Sequence, residues 1–296
     1  MRQLRMFGLC LVAVLATAAV GASSAWALPA WGQCEKVPPG TGTYANANCT
    51  INGGAKEYKW IPGTAASVPK PLTSQGGISS LTGNYIVCVP TEDVRAPQCN
   101  PGETQAAEPV VVECSGELNT GELSATNVKE VKKVLVTFVG CSAFSTVPCQ
   151  NASPGEIKLA QLKGKLGYIN KATKEVGLLL EPAIGSLFTQ FACVGIFSVV
   201  VGKGTAGQGC AYPLPKCGGH GIIASITPVN QMASSFTQQY AINALDENVP
   251  DKFEGGPLKL LESYIFNVGH TSKWSQAGLT GTIFDTHPGG PIEIKA

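Results

Sequence analysis

Three observations predict a mainly β, disulfide-stapled exported protein. The 296-residue chain carries 35 Gly and 20 Pro, well above average usage, while charged residues make up only 14%. Short apolar or alternating runs recur between Gly/Pro turns with no β–α alternation, which points to a sandwich or barrel. The 11 Cys are far more than a reduced cytosolic chain of this length needs. The expected architecture is a β-sandwich, jelly-roll-like or Greek-key, behind a small cysteine-rich N-terminal module.

Residues 1–27 read as a signal peptide. Arg2 and Arg5 supply the positive start, Met6 to Val20 is apolar apart from Gly8 and Thr17, and Ala25 and Ala27 fill the small-residue positions of a cleavage site. Cleavage after Ala27 leaves residues 28–296, addressed to the extracellular space or the cell wall. Cys10 lies inside the apolar run without the small residue a lipobox needs before it. Leu187 to Val201 is the other apolar stretch, but Thr189, Gln190, Gly195 and Ser198 break it, so it reads as a hairpin and no transmembrane segment is expected in the mature chain.

Without the leader the net charge is near −1, and Arg95 is the only arginine left. Phosphate and base-edge recognition lean on the bidentate guanidinium, so nucleic-acid partners are excluded as an expectation. Lys129, Lys132 and Lys133 read as a solvated strand edge.

Residues 28–107 are loop-rich, with Gly63 to Thr82 as an exposed connector. Residues 108–296 form the sandwich domain. Its expected strands include Pro109 to Glu113, the alternating Lys132 to Val139 with Val134, Val136 and Phe138 on one face, and a hairpin of Lys163–Ile169 with Glu175–Leu180. A second hairpin joins Leu187–Val194 to Ile196–Val201, followed by Gly221–Ile226, Leu258–Asn267 and Thr282–Asp285. Ser234 to Leu245 is the one helix-like stretch, with Phe236, Tyr240 and Ala244 at helical spacing.

Ten cysteines remain after the leader. Spacing suggests four local bridges, Cys34–Cys49, Cys88–Cys99, Cys141–Cys149 and Cys210–Cys217, leaving Cys114–Cys193 as the long-range one. Cys210, Cys217 and His220 lack a fourth ligand at zinc spacing, so no metal is expected. No cofactor is expected either. Gly202 to Gly207 matches G-x-G-x-x-G, but Pro213 and Pro215 forbid the helix that would cradle a pyrophosphate, and no acid occurs in 218–230.

The chain holds no G-x-S-x-G, H-E-x-x-H or P-loop. His220, His270 and His287 sit beside Gly or Pro in expected loops. Glu254 and Glu262 are the acids available for glycoside chemistry, whose criterion is spatial. Tyr58 and Trp60, two apart, share one strand face and could form a ligand platform, although core packing explains such a pair more readily. The reading that follows is a non-catalytic binding or structural protein, suited to an extracellular glycan or cell-surface component. A carboxylate-pair hydrolase acting on polysaccharide or cell wall is the alternative, and a secreted inhibitor-like module the second one.

Several strings together carry a resemblance. They are Cys34-Glu35-Lys36-Val37, Gly42-Thr43-Tyr44, Cys49-Thr50, Tyr58-Lys59-Trp60-Ile61-Pro62-Gly63, Thr137-Phe138-Val139-Gly140-Cys141, Gly155-Glu156-Ile157, Leu162 to Ile169 and Phe191-Ala192-Cys193. The mature chain thereby resembles a group of secreted, cysteine-containing proteins from soil actinobacteria to which no activity is attached. The resemblance implies a bacterial extracellular setting, and against its pattern Gly202 to His220 is an insertion.

Overall fold

The computed structural model describes residues 28–63, 70–90, 103–202, 219–245, 247–266 and 274–296, with backbone alone at 85–90, 103–108 and 219. The leader with its cleavage position, both partners of the Cys210–Cys217 expectation, Cys99 and the Cys88 side chain, and residues 203–218 lie outside the described residues.

Every regular element among them is a strand. They are β1 (Ala30–Lys36), β2 (Tyr58–Pro62), β3 (Lys70–Gly76), β4 (Ser79–Pro90), β5 (Glu103–Cys114), β6 (Gly116–Leu123) and β7 (Glu130–Val139). There follow β8 (Ser142–Ala143), β9 (Val147–Gln150), β10 (Ile157–Lys158), β11 (Leu162–Asn170), β12 (Glu175–Pro182), β13 (Leu187–Cys193) and β14 (Phe197–Gly202). The last eight are β15 (Gly219–His220), β16 (Ile222–Thr227), β17 (Met232–Ala233), β18 (Ser235–Ile242), β19 (Asn248–Val249), β20 (Lys259–Phe266), β21 (Trp274–Thr286) and β22 (Ile292–Lys295).

The strands close on themselves where a two-sheet sandwich would leave open edges. The first ring runs β3–β6–β7–β11–β12–β16–β18–β21 and back to β3, an eight-stranded antiparallel barrel. A second circuit of antiparallel ladders runs β4–β5–β8–β9–β13–β14–β20–β21 and back to β4. The 13-residue β21 belongs to both, its first half to the second ring and its last half to the first.

Alternation explains which side faces in. Along β7, Val134, Val136 and Phe138 are buried and Lys133 and Leu135 exposed, as the sequence predicts. Both predicted hairpins form, as β11–β12 and β13–β14. Closure needs local bending, and β7 supplies it. Thr120 faces Leu135 but Glu122 faces Lys132, so two residues of β7 oppose Gly121, and Lys133 takes φ 51° at this bulge. The strand β12 is buried on both faces because Leu179 packs outside the barrel with Ile223 and Phe253. Phe253 lies over Gly167, where a Cβ would meet its ring at 2.3 Å.

The order β17–β22–β1–β2 forms a separate four-stranded sheet. Its Trp31, Ile292 and Ile294 join the barrel core. The boundary expected at residue 107 falls inside β5. Strands β3 and β4 are ring walls, so the expected connector Gly63–Thr82 is strand at 70–76 and from 79 onward. Its period-2 pattern escapes notice because Ser74 alternates inward with Leu72 while Pro71, Thr73 and Gln75 face out.

The helix expected over Ser234–Leu245 is strand β18. Phe236 and Tyr240 share a face at both helical and strand spacing, so position 238 decides. Gln238 is polar yet buried between them, as a strand requires.

Cys34–Cys49 is bonded as expected. The bridges Cys141–Cys149 and Cys114–Cys193 are not formed; instead Cys114 bonds Cys141 and Cys149 bonds Cys193. Register explains the exchange. Cys149 and Cys193 face one another across β9 and β13. Cys114 ends β5 beside the chain that leaves β7, where Ser115 N donates to Val139 O at 3.0 Å.

Candidate functional site

The sequence singles out no acid in the barrel interior, yet the chemistry gathers there. On β6, Glu117 and Asn119 point inward, on β18 Gln238 and Tyr240, on β21 Asp285 and on β3 Ser74. Each follows from strand alternation with buried apolar neighbours on the same face. Adjacent walls place them side by side, since Ser74 pairs with Asn119 and Asp285 in register, and Gly76 with Glu117.

Two neighbouring hydrogen-bond sets result. Asn119 Nδ2 donates to Glu117 Oε1 at 2.6 Å and Ser79 Oγ to Glu117 Oε2 at 3.3 Å. Ser74 Oγ donates to Asp285 Oδ1 and Gln238 Nε2 to Asp285 Oδ2, both at 2.5 Å, while Tyr240 OH donates to Gln238 Oε1 at 3.3 Å. Burial pushes the Glu117 carboxyl up to about 7, opposed by its two donors. Burial likewise pushes Asp285 up to about 6, and the phenol of Tyr240 rises for the same reason beside both acids. Glu117 is only 4% exposed and Asp285 2%, so barrel walls stand between them and any polymer.

Two cavities adjoin this cluster. The larger, of about 70 Å³, lies between the walls of both rings and is lined by Val112, Phe138, Leu162, Phe188 and Leu261 among other apolar side chains. The smaller, of about 30 Å³, is lined by Ser74, Asn119, Gln238 and Ile283. Glu117, Tyr240, Val136 and Leu180 line both.

The residues that the sequence does single out lie elsewhere. Trp60 sits in β2 over Gly32, where a Cβ would meet the indole at 2.1 Å, and Lys295 Nζ stands 4.6 Å from its ring centroid. Tyr58 lies two residues along the same strand, in register with Lys36. Glu254 Oε1 accepts from Tyr168 N at 3.0 Å and its other oxygen pairs with Lys171, so it anchors a loop. Glu262 lies on β20, opposite Gly202 and Gln276.

His220 is in β15, His270 lies outside the described residues, and His287 is buried with Nδ1 2.6 Å from Gly290 O. Among the lysines read as a solvated edge, Lys132 pairs with Glu130 and Lys133 with Glu122, and Lys129 Nζ donates to Leu28 O. Only the alternation of β18 could have exposed the interior cluster in the sequence, through Gln238 between Phe236 and Tyr240.

The outer wall of the first ring offers a different chemistry. Across β21, β3, β6 and β7 one lateral row reads Phe284, Gln75, Leu118, Thr137, and the next reads Thr286, Thr73, Thr120, Leu135. Phe284 is 56% exposed, and Leu118 and Leu135 about as much. None of these eight side chains is charged. Comparison with known protein families, with curated proteins and with solved structures finds no match.

Proposed function

We propose that this is an exported, non-catalytic protein that binds a neutral extracellular or cell-surface polysaccharide through the outer wall of the first ring. The observation that carries the reading is that wall: two rows of hydroxyl, amide and apolar side chains without a charge, centred on Phe284, Leu118 and Leu135. Hydroxyls and amides match the donors and acceptors of an uncharged sugar chain, and exposed apolar groups cover the faces of its rings. The two acids with raised pKa values support a non-catalytic role, because they sit behind the walls and away from this surface. Three disulfides among the described residues and a leader-like start fit an oxidising destination. The bacterial setting implied by the actinobacterial resemblance belongs to the same proposal.

The test incubates the secreted protein with insoluble neutral polysaccharides and cell-wall fractions, measuring retention and released sugar together. Retention without release is expected, and Leu118→Glu combined with Phe284→Ser should weaken it at least tenfold while leaving the melting temperature unchanged. Release of sugar, or equal retention of the double variant, contradicts the reading. Amino-terminal sequencing of protein from the medium should begin at Leu28.

A further inference from the structure

We propose that the two adjoining interior cavities form a binding site for a short primary alkylamine, with the alkyl chain in the larger chamber and the ammonium against Glu117 and Asn119. This site is separate from the outer wall and stands or falls independently of it.

The larger chamber selects an alkyl group. Apolar cavities of this kind stay dry, because a water there finds no partners. Apart from Glu117, the polar side chains in its wall are already committed: Thr189 Oγ donates to Lys158 O at 2.8 Å, Tyr240 to Gln238, and Ser79 to Glu117. At about 70 Å³ it is roughly half of a cavity that accepts benzene, about 150 Å³, which limits the guest to a few carbons.

The smaller chamber selects the head. Its polar lining is rich in acceptors, and among the described residues no lysine, arginine or histidine lines either cavity. Asn119 Oδ1 is buried there without a hydrogen-bond partner among the described residues. Its orientation is set by the 2.6 Å bond from Nδ2 to Glu117, so the free atom is an acceptor and calls for a donor. Asp285 stands behind Ser74 and Gln238 as a second acid, so two buried carboxyls have no cation beside them among the described residues. An ammonium supplies both the missing donor and the missing charge, whereas an alcohol supplies the donor alone and a carboxylate neither.

Glu117, Tyr240, Val136 and Leu180 line both chambers, so the two meet at the carboxyl that receives the ammonium. The titratable groups facing Glu117 are Asp285 and Tyr240, and both favour an added positive charge. Burial holds Glu117 near 7, so cation binding at slightly acidic pH should drive a proton off its carboxyl.

The experiment titrates the mature protein with butylammonium, butan-1-ol and butyrate by calorimetry, and follows methyl resonances of Val136 and Leu180. Butylammonium should bind at least tenfold tighter than butanol, shift those methyls and release protons, while butyrate should not bind. Glu117→Gln should bring the amine down to the affinity of the alcohol. Val136→Leu, which takes up space in both chambers, should weaken the amine, and it serves if the Glu117 variant does not fold. Equal affinity for alcohol and amine, shifts confined to the outer surface, unchanged binding in Val136→Leu, or no binding at all would each overturn the proposal.

Discussion

The two rings share β21 yet close by different means. Every wall of the first is a ladder of at least three register pairs, and its interior carries the acids. The second passes through β8 and β9, where the β5–β8, β8–β9 and β9–β13 walls have two register pairs each. Two of the disulfides among the described residues lie at those thin walls. Cys149–Cys193 spans the β9–β13 seam itself, and Cys114–Cys141 fastens the end of β5 to the turn between β7 and β8. A charge-poor, turn-rich chain thus shuts its two rings in two ways. Where ladders are long, backbone hydrogen bonds suffice, and where they shorten to two register pairs a disulfide lies at or beside the seam.

The comparison breaks hardest at the seam. Replacing Cys149 and Cys193 by Ala should cost about 4 kcal/mol on the chain-entropy account, with denaturant unfolding as the readout. Hydrogen exchange should then rise first in β9, β13 and β14 while β6 and β7 stay protected. Uniform loss of protection would mean that the rings do not differ in this way.

Next in size is the acid interior of the first ring. Glu117 has a folded pKa of about 7 against an ordinary 4.5, so the fold favours its neutral form. Its stabilising share is therefore complete below about pH 4.5 and is lost as pH rises to about 7, a change of about 3 kcal/mol. Glu117→Gln should flatten the fall in stability between these values and leave the protein more stable than wild type at pH 8. A wild-type stability that climbs over the same range contradicts the assignment.

A smaller effect is expected where the separate sheet meets its tryptophan. Gly32→Ala places a Cβ 2.1 Å from the Trp60 indole and 2.8 Å from Ile61 O, and overpacking of that kind costs about 1–3 kcal/mol. Trp60 fluorescence should shift while the interior pH dependence is unchanged. The smallest is the bulge. Lys133→Gly relieves a left-handed φ of 51° and removes an exposed ion pair with Glu122, so thermal melting should move by the equivalent of about 1 kcal/mol or less.

Strand content was legible wherever apolar residues alternated cleanly, as in β7 and the β11–β12 and β13–β14 hairpins. It was illegible where inward positions are polar. Ser74 disguised β3 as a connector, and Gln238 disguised β18 as a helix, because both serve Asp285 inside the barrel. The same residues make up the interior cluster, so the site was hidden by what makes it a site. Ring closure was out of reach for a related reason. It depends on pairings such as β3–β6 and β12–β16 that skip intervening strands, and on a bulge that only the register reveals. Cysteine spacing located Cys34–Cys49, where the bridge is local. It misassigned the other four described partners, because cross-strand register outweighs distance along the chain.

Peptide mapping of the unreduced protein by mass spectrometry tests the closed-ring account most directly. The account predicts linked peptides joining Cys114 to Cys141 and Cys149 to Cys193. Links joining Cys141 to Cys149 and Cys114 to Cys193, or free thiols at these four positions, would contradict it.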